Sequence, residues 1–307
     1  MCSSPTNGLA VELCDHLAAV IALAEAVVDP DGPWESPLQD SQAGAELLAE
    51  EARQPAPRTG SWPWLMAAIV SRWALWVAVE EAKALCNVTD TERTSYGADV
   101  LCRSILESSS LAWWLLDPEI DAEGRLARAL LYRYNTAKRG QQAAEHVGIG
   151  PDEDRSDYGE LPEAVEQEAR GLGFEIDRNR LLCRGQSLPT YTDRVASLVQ
   201  HVWPQAKLPY ALLSAVAHAE LLGLTLNLGQ LSSIPTSSDT APWSTLRPVP
   251  DRSGVWFWQD TYLVAGVLLF SCERAAEFLG LAPQSESLNA AKGTVQEALS
   301  RIRPQTA

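Results

Sequence analysis

The sequence predicts an all-α chain, a single-domain bundle of about nine to ten helices with little or no β structure. Three observations carry that prediction. Apolar residues recur at helical intervals through most of the chain, strong breakers such as Asp29-Pro30-Asp31-Gly32-Pro33 and Asp117-Pro118 punctuate the periodic stretches, and strand-type alternation is nearly absent. With 307 residues, 46% hydrophobic and 21% charged, the chain is long enough for a substantial core and too apolar for disorder.

The elements follow in order. Leu9 to Val28 is periodic and stops at the Pro/Gly breaker, and Gln42 to Arg53 is a short Ala/Glu/Leu helix. A long apolar segment runs from Ser61, an N-cap candidate, to Cys86, with Pro63 tolerated in its first turn. Thr89 or Asp90 caps the next helix, which stops at Asp117-Pro118, and Asp121 caps the one that runs to about Val147. Residues 148–188 form the least core-like stretch, with an acidic exposed helix over Leu161 to Gly171, and suggest an insertion or lid on the single domain 1–307. Thr190 to Trp203 and Pro209 to Leu228 are helical and divided by Pro204. Leu231 to Pro250 is a Ser/Pro/Thr-rich loop that either leads into or closes a short hairpin around Val255-Trp256-Phe257-Trp258, and Thr261 to Leu279 and Ser287 to Ile302 are the final helices.

A formal net charge of −16, from 40 acidic against 24 basic residues, opposes general affinity for nucleic acid or anionic membranes. The N-terminus lacks the basic and apolar regions of a signal peptide, and the six cysteines form no C-x-x-C pair, so a cytoplasmic chain with buried free thiols is expected. Trp62 to Val79 is interrupted by Ser71-Arg72 and Tyr262 to Phe270 is too short, so neither crosses a membrane. The four histidines stand in no E-x-x-H or H-E-x-x-H pattern, so no metal and no cofactor is expected.

Two constellations put ionisable groups into apolar stripes, where a charge is either paired or used. Arg103, Glu107 and Trp114 share one helix face, and Arg125, Arg128 and Tyr132 share a face of the next. A short connection makes the two helices antiparallel neighbours, so that arginines from both meet Glu107 and form either a structural network or an anion site. Tyr210, Ser214 and His218 lie at i, i+4 and i+8, a hydroxyl one turn from an imidazole among small alanines. Eleven tryptophans are available to line an inter-helical pocket, to pack the core or to form an oligomer interface.

The combination Arg103-x3-Glu107, Trp113-Trp114-Leu-Leu-Asp117-Pro118, Arg125-x2-Arg128 and Ser214-x3-His218-Ala-x3-Gly223 resembles a family of uncharacterised all-helical proteins common in actinobacteria, itself distantly similar to DUF5677 and HEPN-type domains. The resemblance covers about Thr91 to Tyr134 and Pro209 to Leu228 and implies an all-helical fold. HEPN ribonucleases place four to six residues between an Arg and a His, a spacing that Arg139 and His146 fit with six, although Gly140 replaces the usual polar residue.

The expectation from these residues is a protein that binds or transforms a small, partly apolar, anionic molecule. Arg103, Arg125, Arg128 and Trp114 bind it, and Glu107, His218, Ser214 and Tyr210 supply the chemistry. A metal-independent HEPN-like ribonuclease or toxin is one rival. A non-catalytic helical interaction protein is the other, and a homodimer fits any of the three.

Overall fold

The computed structural model describes residues 5–29, 34, 37–53, 65–89, 95–148, 161–203, 255–281 and 293. Among the described residues the chain is mainly helical, with eight helices and one small sheet. The helices are α1 (Pro5–Val28), α2 (Gln42–Arg53), α3 (Met66–Thr89), α4 (Ser95–Leu115), α5 (Ala122–His146), α6 (Pro162–Gly171), α7 (Tyr191–Val202) and α8 (Val255–Leu279). The segments expected as the Pro209 to Leu228 helix and the Leu231 to Pro250 loop lie outside the described residues, as does the last helix apart from residue 293.

Local chemistry explains most of the helix ends. Ser41 opens α2, its hydroxyl accepting from the Gly44 amide at 2.9 Å. Asp121 caps α5 in the same way at 2.7 Å, and Thr190 caps α7 by accepting from Asp193 at 3.2 Å. The close of α8 is a Schellman motif: Gly280 N–H donates to Glu277 O, Leu281 N–H donates to Ala276 O, and Gly280 takes φ +72°. A Cβ on Gly280 would also stand 2.5 Å from that of Ser41, so this glycine lets the end of α8 lie against the start of α2.

Three sequence expectations change. Thr89 is the last residue of α3 rather than a cap for α4. The stretch from Val255 to Trp258 is the first turn of α8, not a hairpin, because the helical period of Thr261 to Leu279 extends backward without a breaker. Strands do exist: Ile176–Asp177, Leu182–Cys183 and Gln186–Ser187 (β1, β2 and β3) form an antiparallel β1-β2-β3 meander with Ile176 opposite Cys183 and Cys183 opposite Gln186. Two-residue strands are too short to leave an alternating signature.

The main core lies among α1, α3, α4, α7 and α8, with Leu75, Leu85, Ile105, Leu106, Leu115 and Leu268 fully enclosed. Its most extensive helix contact is between α3 and α4. A second core joins α5 to α6 and the sheet through Leu126, Leu130, Leu131, Tyr134, Val165 and Phe174. Residues 161–188 therefore build on α5, and α6 buries Val165, Glu166 and Ala169 instead of standing exposed. The wide apolar face of α5 draws it toward α6, so α4 and α5 meet only slightly and are not the packed neighbours their short connection suggests.

No described helix is long and apolar enough to cross a membrane.

Candidate functional site

The polar side chains singled out in the sequence separate into two places. Arg103 and Glu107 meet as expected, Nε to Oε1 at 2.7 Å, both about one-fifth exposed on α4. Beside them Glu81 of α3 accepts from the Ser104 hydroxyl, while its other oxygen, Oε2, is buried without a hydrogen-bond partner. Burial raises the Glu81 carboxyl above its ordinary 4.5, Ser104 opposes the rise, and the nearby Glu107 adds to it. The buried Glu81 Oε2 is an acceptor and so suits a proton or a donor group rather than an anion.

Arg125 and Arg128 do not join it. The last carbonyls of a helix lack intrahelical partners, and α4 ends inside the protein. Arg125, 2% exposed, donates to Asp117 O at 3.2 Å, to Ile120 O at 2.6 Å and, through Nε and Nη2, to Glu46 of α2. Arg128 donates to Trp114 O, to Asp117 Oδ2 at 3.1 Å and to Gln186 of β3 at 2.9 Å. From α8, Arg274 donates to Leu116 O and to Gln42 at 2.8 Å. Three cations thus gather at the negative end of α4, where the macrodipole favours them. Glu107 lies nine residues before Leu116, roughly 13 Å along the axis, too far back to compete.

Burial leaves its mark on these charges. It lowers the Arg128 and Arg274 guanidinium values, with Asp117 and Glu277 opposing the shift. Glu46, 6% exposed, is pushed up by desolvation against the pull of Arg125, and its Oε2 has no hydrogen-bond partner. Trp114, expected to line a ligand pocket, carries the Arg128 guanidinium 5.2 Å from its ring centroid. Tyr210, Ser214 and His218 lie outside the described residues.

Arg139 and His146 are both exposed on α5. Arg139 donates to the Tyr191 hydroxyl at 2.7 Å and lies over that ring, with Arg194 over it as well at 4.8 Å. Among the described residues the histidine in closest aromatic contact is His201, which has no role in the sequence expectations. It lies tilted against Trp113 at 4.8 Å and meets Phe270 edge-on at 6.0 Å. Its place in the last turn of an amphipathic helix was the available signal.

An open cleft of about 880 Å³ lies where α5 begins beside the sheet, lined by Glu123, Phe174, Glu175, Asp177, Leu182 and Arg184 among others. Arg184 is already paired there with Glu123 and Asp121. Among the described residues no group of three or more His, Cys, Asp or Glu side chains is placed to hold a metal ion.

The remaining feature is apolar. Along α3, Ile69, Trp73, Trp76 and Val77 are exposed, Trp73 by 68% and Trp76 by 54%. Their spacing of i, i+4, i+7 and i+8 makes one stripe on the face turned away from Ala74, Leu75, Ala78 and Val79 of the core. Compared with protein-family models, with curated proteins and with solved structures, the chain shows no significant match.

Proposed function

We propose that this chain is a helical interaction protein whose docking surface is the outer face of α3. The observation that carries this reading is the Ile69-Trp73-Trp76-Val77 stripe. Two large indoles exposed on a helix belong to no core cluster among the described residues, while aromatic side chains are the residues that dominate protein contacts. Arg125 and Arg128, which had suggested a ligand site, are instead occupied by Glu46, Asp117 and the carbonyls of Trp114 and Ile120. A photo-activatable phenylalanine placed at position 73 in cells tests the reading. Adducts are expected there and not from the same probe at the exposed, isolated Leu161. Equal or absent labelling at both positions overturns it.

A second reading, a small molecule held between α3 and α4, is supported by the orphaned Glu81 oxygen next to the Arg103–Glu107 pair. That oxygen is an acceptor, which turns the expected ligand from an anion toward an amine or hydroxyl donor. A panel of organic amines and carboxylates in a thermal-shift assay separates the two. Stabilisation by amines that Glu81→Gln abolishes supports this reading, and stabilisation by neither class removes it. A HEPN-like ribonuclease has less support, since Arg139 is engaged by Tyr191 and both it and His146 stand exposed on one helix.

A further inference from the structure

We infer that α2 is a pH-sensitive strap, held against α8 and α5 by polar ties and released as Glu46 ionises. Apolar contact does little to fix this helix. Its main helix neighbour is α8, and among the described residues Ala43 is its one member of the main core, while Leu48 is 51% exposed. The ties that remain are the seat of Ser41 against Gly280, the Gln42 side-chain oxygen accepting from Arg274 at 2.8 Å, and Glu46 accepting from Arg125. A helix of 12 residues is marginal in water by itself, so α2 unfolds when these ties let go.

The Glu46 tie is incomplete. Arg125 places both Nε and Nη2 on Oε1, and Oε2 is buried with no hydrogen-bond partner. Among the described residues the charged groups that face this carboxyl are Arg125 from α5, Arg274 from α8 and Asp121 from the turn before α5. Neither arginine turns to Oε2. Arg125 spends Nη1 on Asp117 O and Ile120 O, and Arg274 spends its donors on Leu116 O, Gln42 and Glu277. Ionised, Glu46 therefore buries an oxygen that nothing satisfies; protonated, it holds the proton on Oε2 and keeps Oε1 as the acceptor. Burial accordingly raises the carboxyl above its ordinary 4.5, against the pull of Arg125 and Arg274 and with a small push from Asp121. Once α2 is open the carboxyl meets water and ionises normally. The support that Glu46 gives to docking is thus fully present below pH 4.5 and is lost as pH rises through the raised value. Rising pH opens α2 and turns Nε and Nη2 of Arg125, 2% exposed when covered, to solvent.

Amide hydrogen exchange of the full chain at about pH 5 and about pH 8, each corrected for the intrinsic exchange rate, tests this. The protection of the α2 amides is expected to fall at least about threefold from the lower pH to the higher, while that of the α4 and α8 amides holds. Glu46→Gln keeps an acceptor where Oε1 is and places an amide where Oε2 is, so its α2 stays protected at both pH values. Wild-type α2 protection that does not fall with pH overturns the inference without recourse to any variant. A fall that Glu46→Gln shares overturns it as well, because another group is then titrating. Protection lost equally from α2, α4 and α8 also overturns it, since the carboxyl then acts on the whole fold and not on a strap.

Discussion

The buried end of α4 and the open face of α3 are both anomalies by composition, one placing charge inside and the other placing indoles outside. Only the first is explained from within the molecule. At the end of α4 and in the turn that follows it, Arg125, Arg128 and Arg274 meet the carbonyls of Trp114, Leu116, Asp117 and Ile120. Among the described residues no core cluster includes Trp73 or Trp76. A buried charge thus reads as architecture once its partners are counted, and the exposed aromatic stripe is the feature on which the proposed function rests.

The sharpest way to break this contrast is Arg125→Ala. It strands the Ile120 carbonyl and leaves Glu46 buried without its cation, an uncompensated arrangement that costs about 3–5 kcal/mol. Urea denaturation measures the loss. A change below about 1 kcal/mol would show that water replaces the guanidinium and that the cluster is not structural.

Gly280→Ala comes next. The new methyl meets a backbone at φ +72° and stands 2.5 Å from the Ser41 Cβ, so α8 and the start of α2 must separate. A loss of roughly 1–3 kcal/mol is expected from these combined effects. It should also expose the Gln42–Arg274 contact beside it, visible as faster amide exchange at the start of α2.

Glu46→Gln sharpens the comparison by asking which member of the buried pair matters. A carboxyl whose folded value lies above the unfolded 4.5 binds its proton more tightly in the fold. The stability contributed by Glu46 is therefore fully present below pH 4.5 and is lost as pH rises through the raised folded value. Glutamine cannot titrate, yet its carbonyl still accepts from Arg125 where Oε1 does now. The stability of Glu46→Gln relative to wild type should thus improve as pH rises across that window, in parallel denaturation curves taken from pH 4.5 to 8. A relative stability that does not change with pH, or that falls, would show that Arg125 fully compensates the carboxylate.

How far these features were legible in the sequence depended on range. Asp121 as a cap, Asp117-Pro118 as a stop and Gln42 to Arg53 as a helix are local chemistry, and each stands where the residues put it. The Arg103–Glu107 pair is an i, i+4 contact and was equally readable. The partner of Arg125 was not, because Glu46 is 79 residues away and only the fold brings α2 to the end of α4. Arg274 was missed for the same reason, its acceptor at Leu116 being 158 residues distant. The α3 tryptophans were visible as part of the eleven, but periodicity gives a face and not its surroundings. Whether Trp73 points into the core or into solvent depends on where α1 and α4 pack.

The smallest expected effect on stability is the most informative one. Trp73→Ala and Trp76→Ala each remove an indole that is more than half exposed and belongs to no core cluster. Truncating a buried tryptophan costs about 3–5 kcal/mol through lost contacts and the cavity left behind. An exposed one leaves no cavity, and the change should stay within about 0.5 kcal/mol for the dilute protein. Removing open apolar surface should also raise solubility. Chemical denaturation at low concentration and the solubility limit at high concentration measure the two quantities separately. If Trp73→Ala instead costs several kcal/mol, the indole is packed against the chain in solution. The outer face of α3 is then part of the interior, and the contrast with the end of α4 disappears.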